Sequence, residues 1–395
     1  MSIVLFAVLL VACGGGGGGS AATPSLVVAQ TSVTAVKTPA PSSSASPSPS
    51  PTQTAPAGVT NLTGVTDFQS VASALSASQR SDGAIPYTST QVMPYFANLA
   101  ATGAAHTGSD LTVVRNYIAW YVLRSKDANP WGISGAITDY TILASGTLQS
   151  AGSADSVDAY AATFLTLVAA AWQYGDAPTR AYVLTLQSDV NRIASAIDAV
   201  TDGDGFTWAL PTYKVKYLMD QSEVYAGLND LATLRSSAYG DIAGSLVASQ
   251  RAATLKAAIV TAFWSSARNT FATGIDANGA LELPASGNWS DATAQLWPIL
   301  HGVIAPSASQ AISTYANFNA AFPAWDALSK PDEYPWVSVA YVALLMNDTT
   351  RANAYRAAAF AGYAPAFAYP WYCAESGWYL RLVDGLVAPQ TIAAD

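Results

Sequence analysis

From about residue 61 onward, apolar positions recur at three- and four-residue spacing in about twelve stretches, separated by breaks rich in Gly, Asn, Asp and Pro. The stretches are of two kinds. Those at 67–79, 111–126, 179–200, 245–265, 307–328 and 350–363 carry more of the charge and read as solvent-facing helices. Those at 94–104, 158–172, 223–234, 292–304, 335–346 and 376–386 are nearly uncharged beyond their first turn, and helices apolar all round must be buried. The last of them also contains Arg381 and Asp384. The two kinds alternate six times, which predicts an all-α, (α/α)6 toroid of six inner and six outer helices. Period-two patterns at 207–217 and 270–283 predict small β-hairpin insertions at one rim, walling a cleft.

Composition sharpens this picture. Hydrophobic residues make up 51% of the 395-residue chain and charged residues only 11%, while 20 Tyr, 11 Trp and 11 Phe supply an aromatic share of 11%. A sizeable core is therefore possible, and something other than charge must decorate the functional surface. The net charge of −9, with 17 scattered Lys and Arg, excludes a nucleic-acid partner. Two cysteines and two histidines, His106 and His301, assemble neither a disulfide scaffold nor a Cys/His zinc site. No cofactor is expected, and an oxygen-ligated ion is the one metal class left open. Asp202-Gly203-Asp204-Gly205 resembles the opening of a calcium loop but lacks the later bidentate Glu, so it reads as a hairpin turn.

The N-terminal end has a different character. Residues 3–12, IVLFAVLLVA, form an apolar run too short for a membrane-spanning helix, and they lead into Cys13. This segment resembles the bacterial lipoprotein signal, although no Lys or Arg precedes the apolar run. The resemblance implies a signal peptide at 1–12, a lipid on Cys13 and anchorage to a membrane at the bacterial cell envelope, on the outer membrane or cell surface. Residues 13–60, rich in Gly, Ser, Thr, Ala and Pro, cannot bury enough apolar surface to fold and predict an extended tether. Residues 61–395 form the toroid domain. With lipid on Cys13, Cys373 is left as a lone thiol, read as a small buried hydrophobe.

A weak internal repeat lies inside the domain. Asp155-Ser156-Val157-Asp158-Ala159-Tyr160-Ala161 and Asp220-Gln221-Ser222-Glu223-Val224-Tyr225-Ala226 share an acid, two residues, an acid, one residue and Tyr-Ala. Further inner helices open near Asp291, Asp332, Glu333 and Glu375, so acids collect at one mouth of the toroid. Capping is the structural alternative for each of them, because carboxylates suit the positive end of a helix. Pairs of carboxylates across a cleft can also divide general acid and general base work. Trp131, Trp208, Tyr213, Tyr217, Trp289, Trp297, Trp336, Trp371 and Trp378 lie before inner helices or in their first turns. Flat aromatic platforms of this kind suit sugar rings.

The twelve-helix layout, the acids at inner-helix starts and the Trp-rich rim resemble the six-hairpin glycosidase superfamily over residues 61–395. Residues 154–167 are similar in character to an Asp-containing inner helix of glycoside hydrolase family eight, whose N-terminal acid has no counterpart here. The adjacent Asp-Asp pair of the related mannan-cleaving enzymes is also missing. The resemblance implies a glycoside hydrolase acting on a polysaccharide or oligosaccharide, with inversion, and a monomer is expected. Matching places in the two repeat copies single out Asp158 as the base and Glu223 as the acid. Asp155, Asp220, Glu375, Trp131, Trp208, Tyr217, Trp297, Trp336 and Trp378 are the expected substrate contacts. Two alternatives stay open: a polysaccharide lyase using Lys214, Lys216 or His301, and a non-catalytic glycan-binding surface lipoprotein.

Overall fold

The computed structural model describes residues 62, 64–284, 287–388 and 394. The expected signal, Cys13 and the tether lie outside the described residues. Along the chain, α1 (Thr66–Ser78) leads through a loop with strand β1 (Gln91–Val92) into α2 (Pro94–Thr107), which turns at once into α3 (Leu111–Arg124). A long break with β2 (Tyr140–Ile142) and β3 (Leu148–Ser150) follows, then α4 (Asp158–Tyr174), α5 (Ala177–Leu184) and α6 (Gln187–Ala199). Next come β4 (Lys216–Tyr217), α7 (Leu218–Thr233), α8 (Ile242–Ala262) and strands β5 (Trp264–Ser265), β6 (Thr270–Phe271), β7 (Gly274–Ile275) and β8 (Leu281–Glu282). The chain ends with α9 (Trp289–Ala294), α10 (Trp297–Leu300), α11 (Ser309–Ala321), α12 (Val337–Leu345), α13 (Thr349–Tyr363) and α14 (Cys373–Val387).

This is the expected toroid. The inner helices touch in a closed ring, α2 to α4, α4 to α7, α7 to α10, α10 to α12, α12 to α14 and α14 back to α2. Outer helices back them, with α3 on α2, α6 on α4, α8 on α7, α13 on α12 and α1 on α14. The hydrophobic effect explains the sorting: every residue of α12 from Val337 to Leu344 is buried, as a sequence apolar at all but Ser338 requires. Two expected helices are broken. The outer stretch at 179–200 divides into α5 and α6. The inner stretch at 292–304 divides into α9 and α10, where Pro298 has no N–H for the helical ladder and crowds the carbonyl four residues back.

Turns from inner to outer helices are short, such as 108–110, 175–176 and 346–348, whereas outer helices return through long breaks such as 79–93, 125–157, 200–217 and 263–288. Every inner helix therefore starts at the same end, under the long breaks, and that end is the mouth. The 270–283 pattern forms the expected hairpin β7–β8, while the 207–217 segment turns back on itself through the Leu210–Tyr213 bridge and also lends β4 to β7 as a third strand. A three-stranded sheet β1–β2–β3 also forms at this rim. Helices α4 and α7 approach closely, since a Cβ on Gly227 would stand 2.7 Å from the Ala162 carbonyl oxygen. That contact brings the two repeat copies side by side.

Candidate functional site

Helix-end bonding accounts for part of the acids at the mouth, since Asp158 accepts from the Ala159 N–H in the first turn of α4 and Glu375 from the Val337 N–H at the start of α12. Outer helices α3, α5, α8 and α13 are capped by Asp110, Asp176, Asp241 and Asp348, whose carboxylates accept backbone N–H bonds in the first turn. The residues preceding α2, α4, α7, α12 and α14 make no such side-chain bond. The repeat acids instead form two tiers. Asp155, in the turn before α4, is exposed, and Asp220, in the first turn of α7, is half-buried. Asp158 and Glu223, three residues further on, are 0% and 2% exposed. Three residues advance almost one helical turn on one face, so the first acid of each copy fronts the mouth and the second sits one turn below.

The lower tier is tied down. Asp158 accepts a 2.5 Å hydrogen bond from the Thr207 hydroxyl and a 2.9 Å bond from the Ala159 N–H. Gln221, on α7, holds Thr207 from both sides, accepting from its N–H and donating to its carbonyl, each at 3.0 Å. Glu223 Oε1 accepts from the Tyr95 hydroxyl at 2.5 Å and from Trp297 Nε1 at 3.1 Å, with His301 Nε2 3.9 Å away. Tyr95, on α2, is half-buried, so it borders the mouth while it orients Glu223. Thr207, Gln221 and Tyr95 carry no sequence signal of their own: each acts through a partner that is distant in the chain.

Electrostatics separate the tiers further. Burial holds the Asp220 carboxyl well above the usual range, and the neighbouring charges of Asp158, Glu223 and Asp155, with a hydrogen bond to Asp158, push the same way. Burial raises Asp158 as well, against the bond from Thr207, so Asp158 and Asp220 behave as a pair that keeps a proton. Asp155 is open to water yet desolvation raises it, as expected on a concave surface. Asp139, which accepts a 2.8 Å bond from Tyr160, is raised by burial to about 7.

These raised carboxyls set a pH dependence of stability. In the unfolded chain Asp139 and Glu375 lose their protons near ordinary carboxyl values, while in the folded protein both keep them to about 7. Between those limits the folded state binds more protons, so stability falls as pH rises. We expect the melting temperature to be lower at pH 8 than at pH 5; thermal melts across that range, showing no such fall, would refute the assignment of buried neutral carboxyls.

Several expected contacts are placed elsewhere. Asp158 has no exposed surface and cannot itself meet a substrate or its water. Glu375 is buried, accepting from the Val337 N–H at 3.1 Å, and thus joins α14 to α12. Trp336 packs against Phe318 and Phe322, and Trp378 against Tyr341 and the Arg381 guanidinium, so both are core residues. Trp297 is buried too and serves through its bond to Glu223. Trp131, Trp208 and Tyr217 remain partly exposed at the rim. Lys216 Nζ lies 4.0 Å over Trp208 and pairs with Asp202 at 2.8 Å and Asp204 at 2.6 Å. The Asp202 to Gly205 turn therefore clamps a lysine, as a hairpin, with Gly205 at φ 89°. Cys373 is a buried free thiol.

No protein-family profile matches the chain. No curated protein matches it either. Solved structures do resemble it. A wild-type glycosidase is 15% identical with a TM-score of 0.56, over 82% of this chain and 98% of the other. A glycosidase variant in complex with glucose is 15% identical with a TM-score of 0.55 over the same shares. A rhamnosidase from Klebsiella oxytoca with rhamnose bound is 14% identical with a TM-score of 0.53, over 84% of this chain and 65% of the rhamnosidase. Together with the closed ring of inner helices, these likenesses show that the chain has a helical toroid fold of the type found in these glycosidases.

Proposed function

We propose that this chain is a glycoside hydrolase that cleaves a polysaccharide or oligosaccharide at the mouth of the toroid, with Asp220 as general acid and Asp155 as general base. The observation that carries the reading is the two-tier arrangement: on adjacent inner helices one acid fronts the mouth and a second lies behind it. A general acid must hold a proton at neutral pH, and Asp220 is held above the usual carboxyl range by burial and by three neighbouring carboxyls. In the proposed step Asp220 gives its proton to the glycosidic oxygen as the C–O bond to the anomeric carbon breaks. Asp155 takes a proton from the water that adds to that carbon from the opposite face, with inversion, as the superfamily resemblance implies. Asp158 and Glu223 are positioning residues, the first beneath Asp220 and the second held by Tyr95 and Trp297. Partly exposed Trp131, Trp208 and Tyr217 supply sugar-stacking edges at the rim.

Neighbours that hold glucose or rhamnose support a neutral sugar as substrate. The lyase reading is disfavoured, since Lys216 is committed to two carboxylates and His301 is buried beside Trp297. The proposal includes anchorage through lipid on Cys13 at the bacterial cell envelope and action as a monomer; mass spectrometry of the membrane-associated protein finding an unmodified Cys13 would remove the anchor. For the activity, the purified protein is incubated with a panel of bacterial and plant polysaccharides. New reducing ends are expected with wild type and not with the Asp155→Asn, Asp220→Asn double variant, which should still bind. Binding without turnover in the wild type would make this a glycan-binding protein.

A further inference from the structure

The aromatic rim is not confined to the tryptophans. A file of tyrosines and one phenylalanine crosses three sectors of the mouth, from the loop before α12 to the start of α2. Tyr334 and Tyr369 lie 6.1 Å apart between ring centres and edge-on, the Tyr369 hydroxyl donating to that of Tyr334 at 3.0 Å. Tyr369 meets Tyr87 at 6.3 Å, Tyr87 stacks on Phe96 at 4.9 Å, and Phe96 meets Tyr95 at 5.1 Å. Tyr372, buried behind the file, braces it by contacts of 5.3 Å with Tyr87 and 4.8 Å with Phe96. Tyr95 completes the file with its 2.5 Å bond to Glu223, so the file ends at the carboxyl cluster.

Two features make this a surface and not only packing. Tyr369 is 49% exposed, and Tyr87, Tyr95, Phe96 and Tyr334 are all half-buried, so each residue keeps part of its surface in solvent. Tyr87, Tyr334 and Tyr369 come from three separate breaks that open at the mouth, and Tyr95 and Phe96 from the first turn of α2. A purely structural cluster would bury its hydroxyls or scatter them. Here the exposed end pairs two hydroxyls at the rim.

Resting on the hydrolase reading, we propose that this file is an extended binding wall for several consecutive neutral sugar residues, so that the substrate is a chain that reaches from the carboxyls across α2 and α14 toward α12. Sugar rings offer apolar faces and hydroxyl edges, which partly exposed tyrosines match with ring and O–H together. Neutral residues are specified because exposed Glu333 borders Tyr334, beside an Asp332 that is paired with Lys330 at 2.8 Å, while Asp155 and Asp220 stand at the other end. A uronate chain would meet carboxylates at both ends.

The test is dependence on chain length. Ladders of gluco-, manno- and xylo-oligosaccharides, from dimer to hexamer, are assayed with the full chain, and kcat/KM is compared for the long and short members of whichever ladder is cut. Wild type should prefer the long members. Tyr369→Ala should lower the long-to-short ratio by roughly threefold to tenfold, in line with the loss of one aromatic contact. Tyr369→Phe, which keeps the ring, should preserve most of the preference. A wild-type enzyme that cuts all lengths equally, or a Tyr369→Ala variant with an unchanged ratio, overturns the wall and leaves the hydrolase reading standing. If no ladder and no panel polysaccharide is cut, the hydrolase reading itself has failed, and the wall with it.

Discussion

Replacing Asp220 by Asn lowers kcat by roughly two to four orders of magnitude and leaves the fold intact, as expected for loss of a general acid. The reasoning is geometric before it is electrostatic. Asp220 stands in the first turn of α7 and is half-buried, so the substitution alters a side chain at the mouth and not the core beneath it. Asn cannot release the proton that Asp220 carries. Because the Asp220 carboxyl is already held neutral, Asn replaces it with a neutral group of nearly the same shape, so the melting temperature should hold. Steady-state kinetics with a thermal melt on the same sample decide the matter. Near-normal kcat would dismiss Asp220 as the acid, whereas a large loss of stability would show that it is structural.

The largest effect on stability belongs to the seam that closes the ring. Helices α2 and α14 cross at Gly103 and Gly377, where a Cβ on Gly103 would stand 2.1 Å from the Gly377 carbonyl oxygen. No real Cβ tolerates that approach to backbone, so the helices would have to separate. Gly103→Leu should cost about 3 kcal/mol or more, because it over-packs the closing contact of the inner ring. Gly203→Ala is the matched control: nothing lies within 4 Å of its Cβ, and the change should stay within about 0.5 kcal/mol. Urea unfolding of both variants measures the difference. Equal stability of the two would mean that α2 and α14 do not close the toroid as described.

Much of this architecture was legible because burial leaves a plain mark in sequence. A run such as that of α12 has no polar face, so it can only be an inner helix. The acid repeat was legible too, and its two copies lie on inner helices that touch, α4 and α7. Depth was not. The pattern starts the third inner helix at 223, which puts Glu223 at the mouth, whereas α7 begins at Leu218 and lowers Glu223 by more than one turn. Five residues decide which acid lies at the mouth, and a helix start is the least certain feature of a periodic pattern. Similarly, α14 begins at Cys373 and not at 376, which carries Trp378 into the core. Tyr95, Thr207 and the tyrosine file could not be read at all, because their meaning comes from contacts between segments far apart in the chain.

The central claim is that the two front carboxyls hydrolyse a glycosidic bond, and the nature of the first product tests it most directly. Proton NMR of the products formed from a panel polysaccharide should show saturated sugars with new reducing ends, initially of inverted anomeric configuration, and roughly a hundredfold less or lower still from the Asp155→Asn or Asp220→Asn variants. Unsaturated uronate ends, or undiminished product from either variant, would contradict the account.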